Sequence, residues 1–226
     1  MTYLISDIHG DARRFLDMLA QIRFSQDDSL YILGDAIDRG EDGIAVLDYI
    51  RTQGNMTMLC GNHEDMMLQV FNRRESLRSD MPEIWMENGG KPTRDAFLAL
   101  PQERQVVLLD WLANLPDMLE LCIDGEHHYY LVHASPASNR FDRLWTRINP
   151  IFFAPVPGKT VIFGHTPGCY MHMVMDKYLR KCGAHINIEK GRGWIDIDCG
   201  CGMKNLRQGC LGCLRLDDMA EFYSTM

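Results

Sequence analysis

The chain has 226 residues, of which 46% are hydrophobic and 24% are charged, and its formal net charge is −8. This length and apolar content are sufficient for a substantial core, so we expect a single domain over residues 1–226. The acidic balance provides no cluster of lysine and arginine for a nucleic-acid backbone, and nucleic acid is therefore not the expected partner.

The N-terminal residues enter a strand-like apolar run and lack the basic region and long apolar stretch of a secretory signal. No later run approaches the length that a membrane-spanning helix needs. The eight cysteines, without signs of secretion, favour reduced thiols over a disulfide framework. We therefore expect a cytoplasmic protein that does not bind membranes.

In the first part of the chain, strand-like and helix-like patterns alternate. Strands are predicted at residues 3–5, 30–33 and 56–59. A helix is predicted over residues 12–22, where apolar side chains recur at helical spacing. Another helix is predicted with Glu41 and Asp42 in its first turn, because acidic side chains suit the positive end of a helix dipole.

Residues 64–115 differ in pattern and predict a helical insertion that contains two apolar helix-like faces. Strand patterns return further along, at residues 129–132, 161–163, 194–197 and 211–216. The sequence therefore predicts an α/β fold with a largely helical middle.

Potential metal ligands stand directly after five of the predicted strands. These residues are Asp7, His9, Asp35, Asn62, His133 and His165. In α/β sheets, ligands gather beyond the carboxyl ends of the strands, so side chains far apart in sequence can converge there. A mixed oxygen and imidazole set without thiolate suits manganese, iron or zinc better than copper or calcium.

The segments around these ligands resemble the successive motifs of the phosphoprotein phosphatase superfamily, the calcineurin-like metallophosphoesterases. The matching segments are Ser6-Asp7-Ile8-His9-Gly10, Gly34-Asp35-Ala36-Ile37-Asp38-Arg39-Gly40, Gly61-Asn62-His63-Glu64, His133-Ala134 and Gly164-His165-Thr166. Residues 85–90, 144–147 and 195–200 are similar to bacterial members. The resemblance implies a calcineurin-like metallophosphoesterase fold, with a two-layer β core flanked by helices and two metals at the rim of the sheets.

The resemblance also implies roles for individual residues at a pair of divalent ions, of which Mn²⁺ is expected first and Fe or Zn are the alternatives. One ion would take Asp7, His9 and Asp35. The other would take Asp35, Asn62, His133 and His165, so that Asp35 bridges the pair. A hydroxide between the metals would attack the phosphorus.

For the phosphate and the leaving group, the resemblance assigns Arg39 and Arg147 to the phosphate oxygens, with Asn62 as a further donor. His63 would protonate the leaving group, and Asp38 would orient and charge its imidazole. Two alternatives remain at this point. Asp38 could instead cap the turn after its strand, and Arg147, which lies in a short motif, could be a surface charge.

Two substrate classes fit this machinery. The leading hypothesis is a metal-dependent phosphomonoester hydrolase of the Ser/Thr protein phosphatase type, acting on a phosphorylated protein or a small phosphoester. The alternative is a symmetrical diadenosine tetraphosphate hydrolase. The resemblance implies that those enzymes tend to have Asp after Gly-Asn-His and to lack the Asp before Arg-Gly. This chain has Glu64 and Asp38, which favours the first class.

A different class of function is also conceivable from the C-terminal cysteines, or for a non-catalytic phospho-recognition protein on the same fold. Cys199, Cys201, Cys210 and Cys213 have a spacing that occurs in four-thiolate zinc sites. The alternation of residues 211–216 favours core cysteines in a strand instead. Residues 72–95 and 169–193 are candidate lids over the site, because both are long connections next to ligand segments.

Overall fold

The computed structural model describes residues 1–71, 79–168, 186–203 and 209–224. Within these residues the strands are β1 (Thr2–Ile5), β2 (Ser29–Ile32), β3 (Met56–Met58), β4 (Met118–Ile123), β5 (His127–Val132), β6 (Thr160–Phe163), β7 (Glu189–Gly191), β8 (Trp194–Asp196), β9 (Gly212–Arg215) and β10 (Glu221–Tyr223). The helices are α1 (Ala12–Gln21), α2 (Gly43–Thr52), α3 (Asn62–Val70), α4 (Met81–Glu87), α5 (Lys91–Leu98), α6 (Gln102–Ala113) and α7 (Arg140–Trp145).

The strands form two mixed sheets of five strands each. The first has the order β10-β9-β1-β2-β3 and the second has the order β4-β5-β6-β8-β7. In the first sheet β1, β2 and β3 run parallel, and in the second sheet β5, β6 and β8 run parallel. Each sheet therefore has a parallel centre whose strands all end at one edge, where ligands can gather.

Strand β1 shows how the sequence places the layers. Its Leu4 belongs to the cluster between the two sheets, whereas Tyr3 and Ile5 belong to the cluster between the first sheet and the helices. Side chains alternate between the two faces of a strand, so a continuous apolar run indicates a strand that is covered on both faces. The expected two-layer β core flanked by helices is what the structure shows.

The middle of the chain is helical, as predicted, but with more elements than the two apolar patterns indicated. Four helices, α3 to α6, occupy the described residues between β3 and β4. The strands β4, β7 and β10 and the helix α7 were not predicted. Strand β4 lies at the edge of its sheet and alternates between half-buried and exposed residues, so its sequence carries little apolar signal.

The prediction for the start of α2 was wrong. The helix begins at Gly43, so that Glu41 precedes it and Asp42 is its N-cap residue. Residues 72–78, the start of the first candidate lid, and residues 169–185, most of the second, lie outside the described residues. Among the helices of the described chain, none has the length and apolarity needed to cross a membrane.

Candidate metal centre

The six predicted metal ligands lie beyond the carboxyl ends of strands from both sheets. Asp7 and His9 follow β1, Asp35 follows β2, Asn62 begins α3 after β3, His133 follows β5 and His165 follows β6. Backbone hydrogen bonds hold these segments together. The amide of Asp7 donates to the carbonyl of Gly34 (3.1 Å), the amide of His9 to that of Asp35 (3.0 Å), and the amide of Gly164 to that of His133 (2.9 Å).

Asp35 is common to two groups of side chains that could each hold a metal ion, His9 with Asp35 and His63, and Asp35 with His133 and His165. Its Oδ2 lies 3.8 Å from Nε2 of His9 and 3.8 Å from Nε2 of His63. Its Oδ1 lies 3.4 Å from Nε2 of His133. Asp35 is therefore the side chain that the two groups share.

The remaining two predicted ligands lie against these groups. Oδ1 of Asn62 lies 2.9 Å from Nε2 of His133 and 2.9 Å from Nδ1 of His165. Oδ1 of Asp7 lies 3.7 Å from Nε2 of His9, and its Oδ2 accepts from the hydroxyl of Ser6. The structure thus brings all six predicted ligands together.

Backbone carbonyls orient three of the histidines in the way that metal coordination requires. Nδ1 of His9 donates to the carbonyl of Ile37 (3.1 Å), Nδ1 of His133 to that of Leu33 (2.7 Å), and Nε2 of His165 to that of Trp145 (3.2 Å). In each ring the other nitrogen faces the acidic and amide side chains of the centre. Such outer partners fix the tautomer and raise the basicity of metal-binding histidines.

The electrostatics of the centre also fit cations. Burial raises the pKa of the Asp7 carboxyl, and the charge of Asp35 raises it further. Burial lowers the pKa of His9 well below its ordinary value, and the neighbouring charge of Arg39 acts in the same direction. His133 differs, because the effect of burial is outweighed by the charge of Asp35, which raises the pKa of His133 to about 10. Buried carboxylates and imidazoles form a donor set that two divalent cations would stabilise, with release of the proton from His133.

His63 has a different environment from the other histidines. Its Nδ1 lies 2.6 Å from Oδ2 of Asp38, a carboxylate in place of a backbone carbonyl, and its Nε2 lies 3.2 Å from Nη2 of Arg39. Burial disfavours the charged imidazole, but Asp35 and then Asp38 overcome this effect and raise the pKa of His63. Asp38 therefore contacts the imidazole directly. A carboxylate that only capped the turn would not need this contact.

The two predicted phosphate ligands contact different residues of the centre. Arg39 is half-buried next to His63. Arg147 is exposed beside His165, and its Nη1 donates to Oγ1 of Thr166 at 3.0 Å. The two guanidinium groups therefore lie beside different histidines, His63 and His165.

Glu64 has a structural role that was not predicted from the sequence. Its Oε2 accepts from the amides of Asp35 and Gly61 at 2.9 Å each, and its Oε1 accepts from the amide of Ala36 at 2.9 Å. This carboxylate holds the loop of Asp35 against the start of α3. The signal was available, because a Glu three residues after the N-cap Gly61 follows the capping-box spacing.

The four C-terminal cysteines are all buried but lie in different layers. Cys199 and Cys210 belong to the cluster between the sheets, whereas Cys201 and Cys213 belong to the cluster beneath the helices. In this placement the four thiols pack as apolar core side chains.

Two clefts open beside the metal ligands and share a wall formed by Arg39, Gly202 and Met203. The first has a volume of about 420 Å³ and is also lined by His9, Arg14 and Glu41 among others. The second has a volume of about 480 Å³ and is also lined by Glu87, Asn88 and Pro92. These volumes are within the range of small-molecule sites.

Strand-end carboxylates, an amide and histidines from two facing sheets, converging on one shared aspartate, define the class of metal-dependent phosphoesterases. The chain belongs to the calcineurin-like phosphoesterase family, whose model matches residues 2–169. The expectation drawn from the motifs is thereby confirmed at the level of the family.

Curated relatives include the symmetrical bis(5'-nucleosyl)-tetraphosphatases of Salmonella paratyphi C (strain RKS4594) and Proteus mirabilis (strain HI4320). They are 31% and 30% identical to this chain over 135 residues, which is 59% of this chain. The match covers 42% and 44% of the relatives, so the chain spans less than half of their length.

Solved structures support the fold at low sequence identity. A candidate diadenosine tetraphosphatase has a TM-score of 0.64 at 17% identity and covers 98% of this chain and 91% of its own. A metallophosphoesterase from Sphaerobacter thermophilus has a TM-score of 0.57 at 16% identity, covering 100% and 87%. A protein serine/threonine phosphatase from Saccharomyces cerevisiae has a TM-score of 0.56 at 12% identity, covering 100% and 79%.

Proposed function

We propose that this phosphoesterase hydrolyses dinucleoside tetraphosphates symmetrically and uses a pair of divalent ions, with Mn²⁺ as the first to test. The similarity to the symmetrical tetraphosphatases carries the choice of substrate. The geometry supports phosphoester hydrolysis in general, and the relatives favour the tetraphosphate over the phosphoprotein that the motifs alone had favoured.

Glu64 and Asp38, the two residues whose identity favoured a phosphoprotein substrate, make contacts away from the two clefts. The carboxylate of Glu64 is occupied by backbone amides of Asp35, Ala36 and Gly61. Asp38 is bonded to His63. Neither Glu64 nor Asp38 is among the described residues that line the two clefts. Their identity therefore says little about whether the substrate is a dinucleotide or a peptide.

In the proposed reaction Asp7, His9, Asp35, Asn62, His133 and His165 hold the metals. When bound, the ions supply Lewis acidity toward the phosphate and lower the pKa of coordinated water. Arg39 and Arg147 bind the phosphate oxygens, and the planar guanidinium suits paired contacts with oxygens. His63 carries a proton on Nε2 to the departing oxygen, and Asp38 holds the opposite nitrogen.

A second candidate function is hydrolysis of phosphoserine or phosphothreonine, and the Asp38–His63 pair favours it. An alkoxide leaving group is strongly basic and requires a proton, whereas a nucleoside diphosphate departs as a much weaker base. A buried imidazole bonded to a carboxylate at 2.6 Å is suited to the more demanding leaving group.

A parallel hydrolysis screen distinguishes the two candidates. The Mn²⁺-loaded protein is assayed with diadenosine tetraphosphate and with phosphoserine, phosphothreonine and phosphotyrosine peptides, and the nucleotide products are separated. We expect ADP as the sole nucleotide product of the tetraphosphate, at a kcat/KM above that of every peptide. Asp35→Ala is the matched control and should be inactive on all substrates. Peptide turnover without tetraphosphate turnover would refute the proposal and establish the second candidate.

A further inference from the structure

The hairpin formed by α4, α5 and the turn between them contacts the loop that carries Asp38 and Arg39. Nε1 of Trp85, in α4, donates to Oδ2 of Asp38 at 2.7 Å. The carbonyl of Gly89, between the helices, accepts from the amide of Arg39 at 2.9 Å. Oγ1 of Thr93, in α5, accepts from the amide of Asp38 at 2.9 Å. One hairpin therefore supports both Asp38 and Arg39.

This support coincides with an unfavourable backbone. Asp38 and Arg39 have φ values of 71° and 68°, in the left-handed region that side-chain-bearing residues rarely adopt. Such conformations are strained for residues that carry a side chain, and they persist only where the surroundings enforce them. The three hydrogen bonds from the hairpin help to enforce the left-handed backbone of Asp38 and Arg39.

The indole and the imidazole share one carboxylate oxygen. Oδ2 of Asp38 lies 2.7 Å from Nε1 of Trp85 and 2.6 Å from Nδ1 of His63. Oδ1 of Asp38 is buried and has no hydrogen-bond partner among the described residues. A carboxylate bonded only through one oxygen can pivot about that contact, and the second donor on Oδ2 restricts the pivot.

The indole itself is fixed in place. Trp85 is fully buried, and its ring lies edge-on to that of Phe71 with the centroids 6.0 Å apart. A Cβ on Gly90 would come within 2.6 Å of the indole, so the turn between the helices fits closely against the ring. The N–H of Trp85 is thus presented to Asp38 by a rigid support.

We propose that Trp85 is a positioning residue for the reaction, which holds the Asp38 carboxylate so that the proton-bearing imidazole of His63 points at the leaving group. The proposal rests on the acid role given to His63 under the proposed function. Trp85 contacts neither the substrate nor the metal ligands in this account, and it acts through Asp38.

The test compares two small phosphate monoesters, one with an alkyl and one with a nitrophenolate leaving group, in the full-length Mn²⁺-loaded protein. Trp85→Phe keeps most of the packing and removes the N–H. We expect its kcat to fall about 10–100-fold on the alkyl phosphate and about twofold or less on nitrophenyl phosphate, with similar KM values. Thr93→Val, which removes the acceptor of the Asp38 amide, should give the same split more weakly.

The matched control is Phe97→Leu. Phe97 is fully buried in the same hairpin and its ring packs on Phe71 at 4.6 Å between centroids, but its side chain has no polar contact. It should lower the unfolding temperature and leave the ratio of the two kcat values unchanged. Equal losses on both substrates for folded, metal-loaded Trp85→Phe would overturn the proposal. If that variant does not fold, the same outcome for Thr93→Val would overturn it.

His63→Asn separates this proposal from the one it rests on. A large loss for His63→Asn on the alkyl phosphate alone, without a split for Trp85→Phe, would sink the role of Trp85 and leave the acid role of His63 standing. Equal losses for His63→Asn on both substrates would instead remove the acid role.

Discussion

The substitution Glu64→Gln tests the support beneath Asp35. Each carboxylate oxygen of Glu64 accepts backbone amides, those of Asp35 and Gly61 at Oε2 and that of Ala36 at Oε1. In a glutamine, an NH₂ group must replace one of the two carboxylate oxygens and would then face backbone amides that are also donors. In the less damaging orientation the NH₂ group takes the position of Oε1, and the amide of Ala36 and the more distant amide of Ile37 (3.4 Å) lose their acceptor.

The expected cost follows from the number of stranded donors. Two buried amides that lose an acceptor cost about 1–3 kcal/mol each, so Glu64→Gln should lower the free energy of unfolding by roughly 2–6 kcal/mol. With an m-value of about 2 kcal/mol per molar urea, the unfolding midpoint should fall by about 1–3 M. The loss is large relative to the total stability of an ordinary domain.

Urea unfolding in excess chelator measures this cost without a contribution from metal binding. The experiment is done at pH 8, because burial and then the charge of Asp35 raise the pKa of Glu64 to about 7. Glu41→Gln is the matched control, since Glu41 is exposed, and it should change stability by about 0.5 kcal/mol or less. An unfolding midpoint for Glu64→Gln equal to that of the control would refute the reasoning.

Three further predictions concern the centre and its surroundings. Asp35→Ala should abolish activity and remove bound metal measured by elemental analysis, and full activity of metal-stripped protein would contradict the metal mechanism. Arg39→Ala and Arg147→Ala should each lower kcat/KM by a factor that corresponds to a loss of about 2–4 kcal/mol in transition-state stabilisation. Near-native kinetics for Arg147→Ala would make Arg147 a surface charge. Burial and then Asp198 raise the pKa of Asp196, so the folded state holds that proton to higher pH than the unfolded chain. The wild type should therefore lose stability relative to Asp196→Asn as the pH rises from about 5 to about 8, and a constant difference in unfolding temperature would contradict this sign.

The residues of the centre could be predicted from the sequence because each of them lies in a short segment with a recognisable pattern. Each ligand directly follows an apolar run, and strands such as β1 are apolar throughout because both faces are buried. The alternation of strand and helix then placed the ligands at one edge. These properties can be read from single short segments.

Other features depend on contacts between distant segments and left little trace. The bond between Trp85 and Asp38 joins residues 47 positions apart, and no pattern in α4 indicates which way the indole N–H points. Strand β4 pairs along its length with β5 at the sheet edge, where half-exposed positions dilute the alternation. The substrate class could not be read from Glu64, because that carboxylate faces the backbone.

The distribution of the ligands over two sheets would make one of the two proposed ions, the one assigned to Asp35, Asn62, His133 and His165, a cross-link between the sheets. Asp7, His9, Asp35 and Asn62 follow strands of the first sheet, whereas His133 and His165 follow strands of the second. An ion held by both Asp35 and His165 would tie together segments far apart in the chain, and it would stabilise the folded state because the unfolded chain does not keep this site together. By mass action, each ion at 100 times its dissociation constant adds about 2.7 kcal/mol of stability. The unfolding temperature of this protein should therefore report the free metal concentration around it.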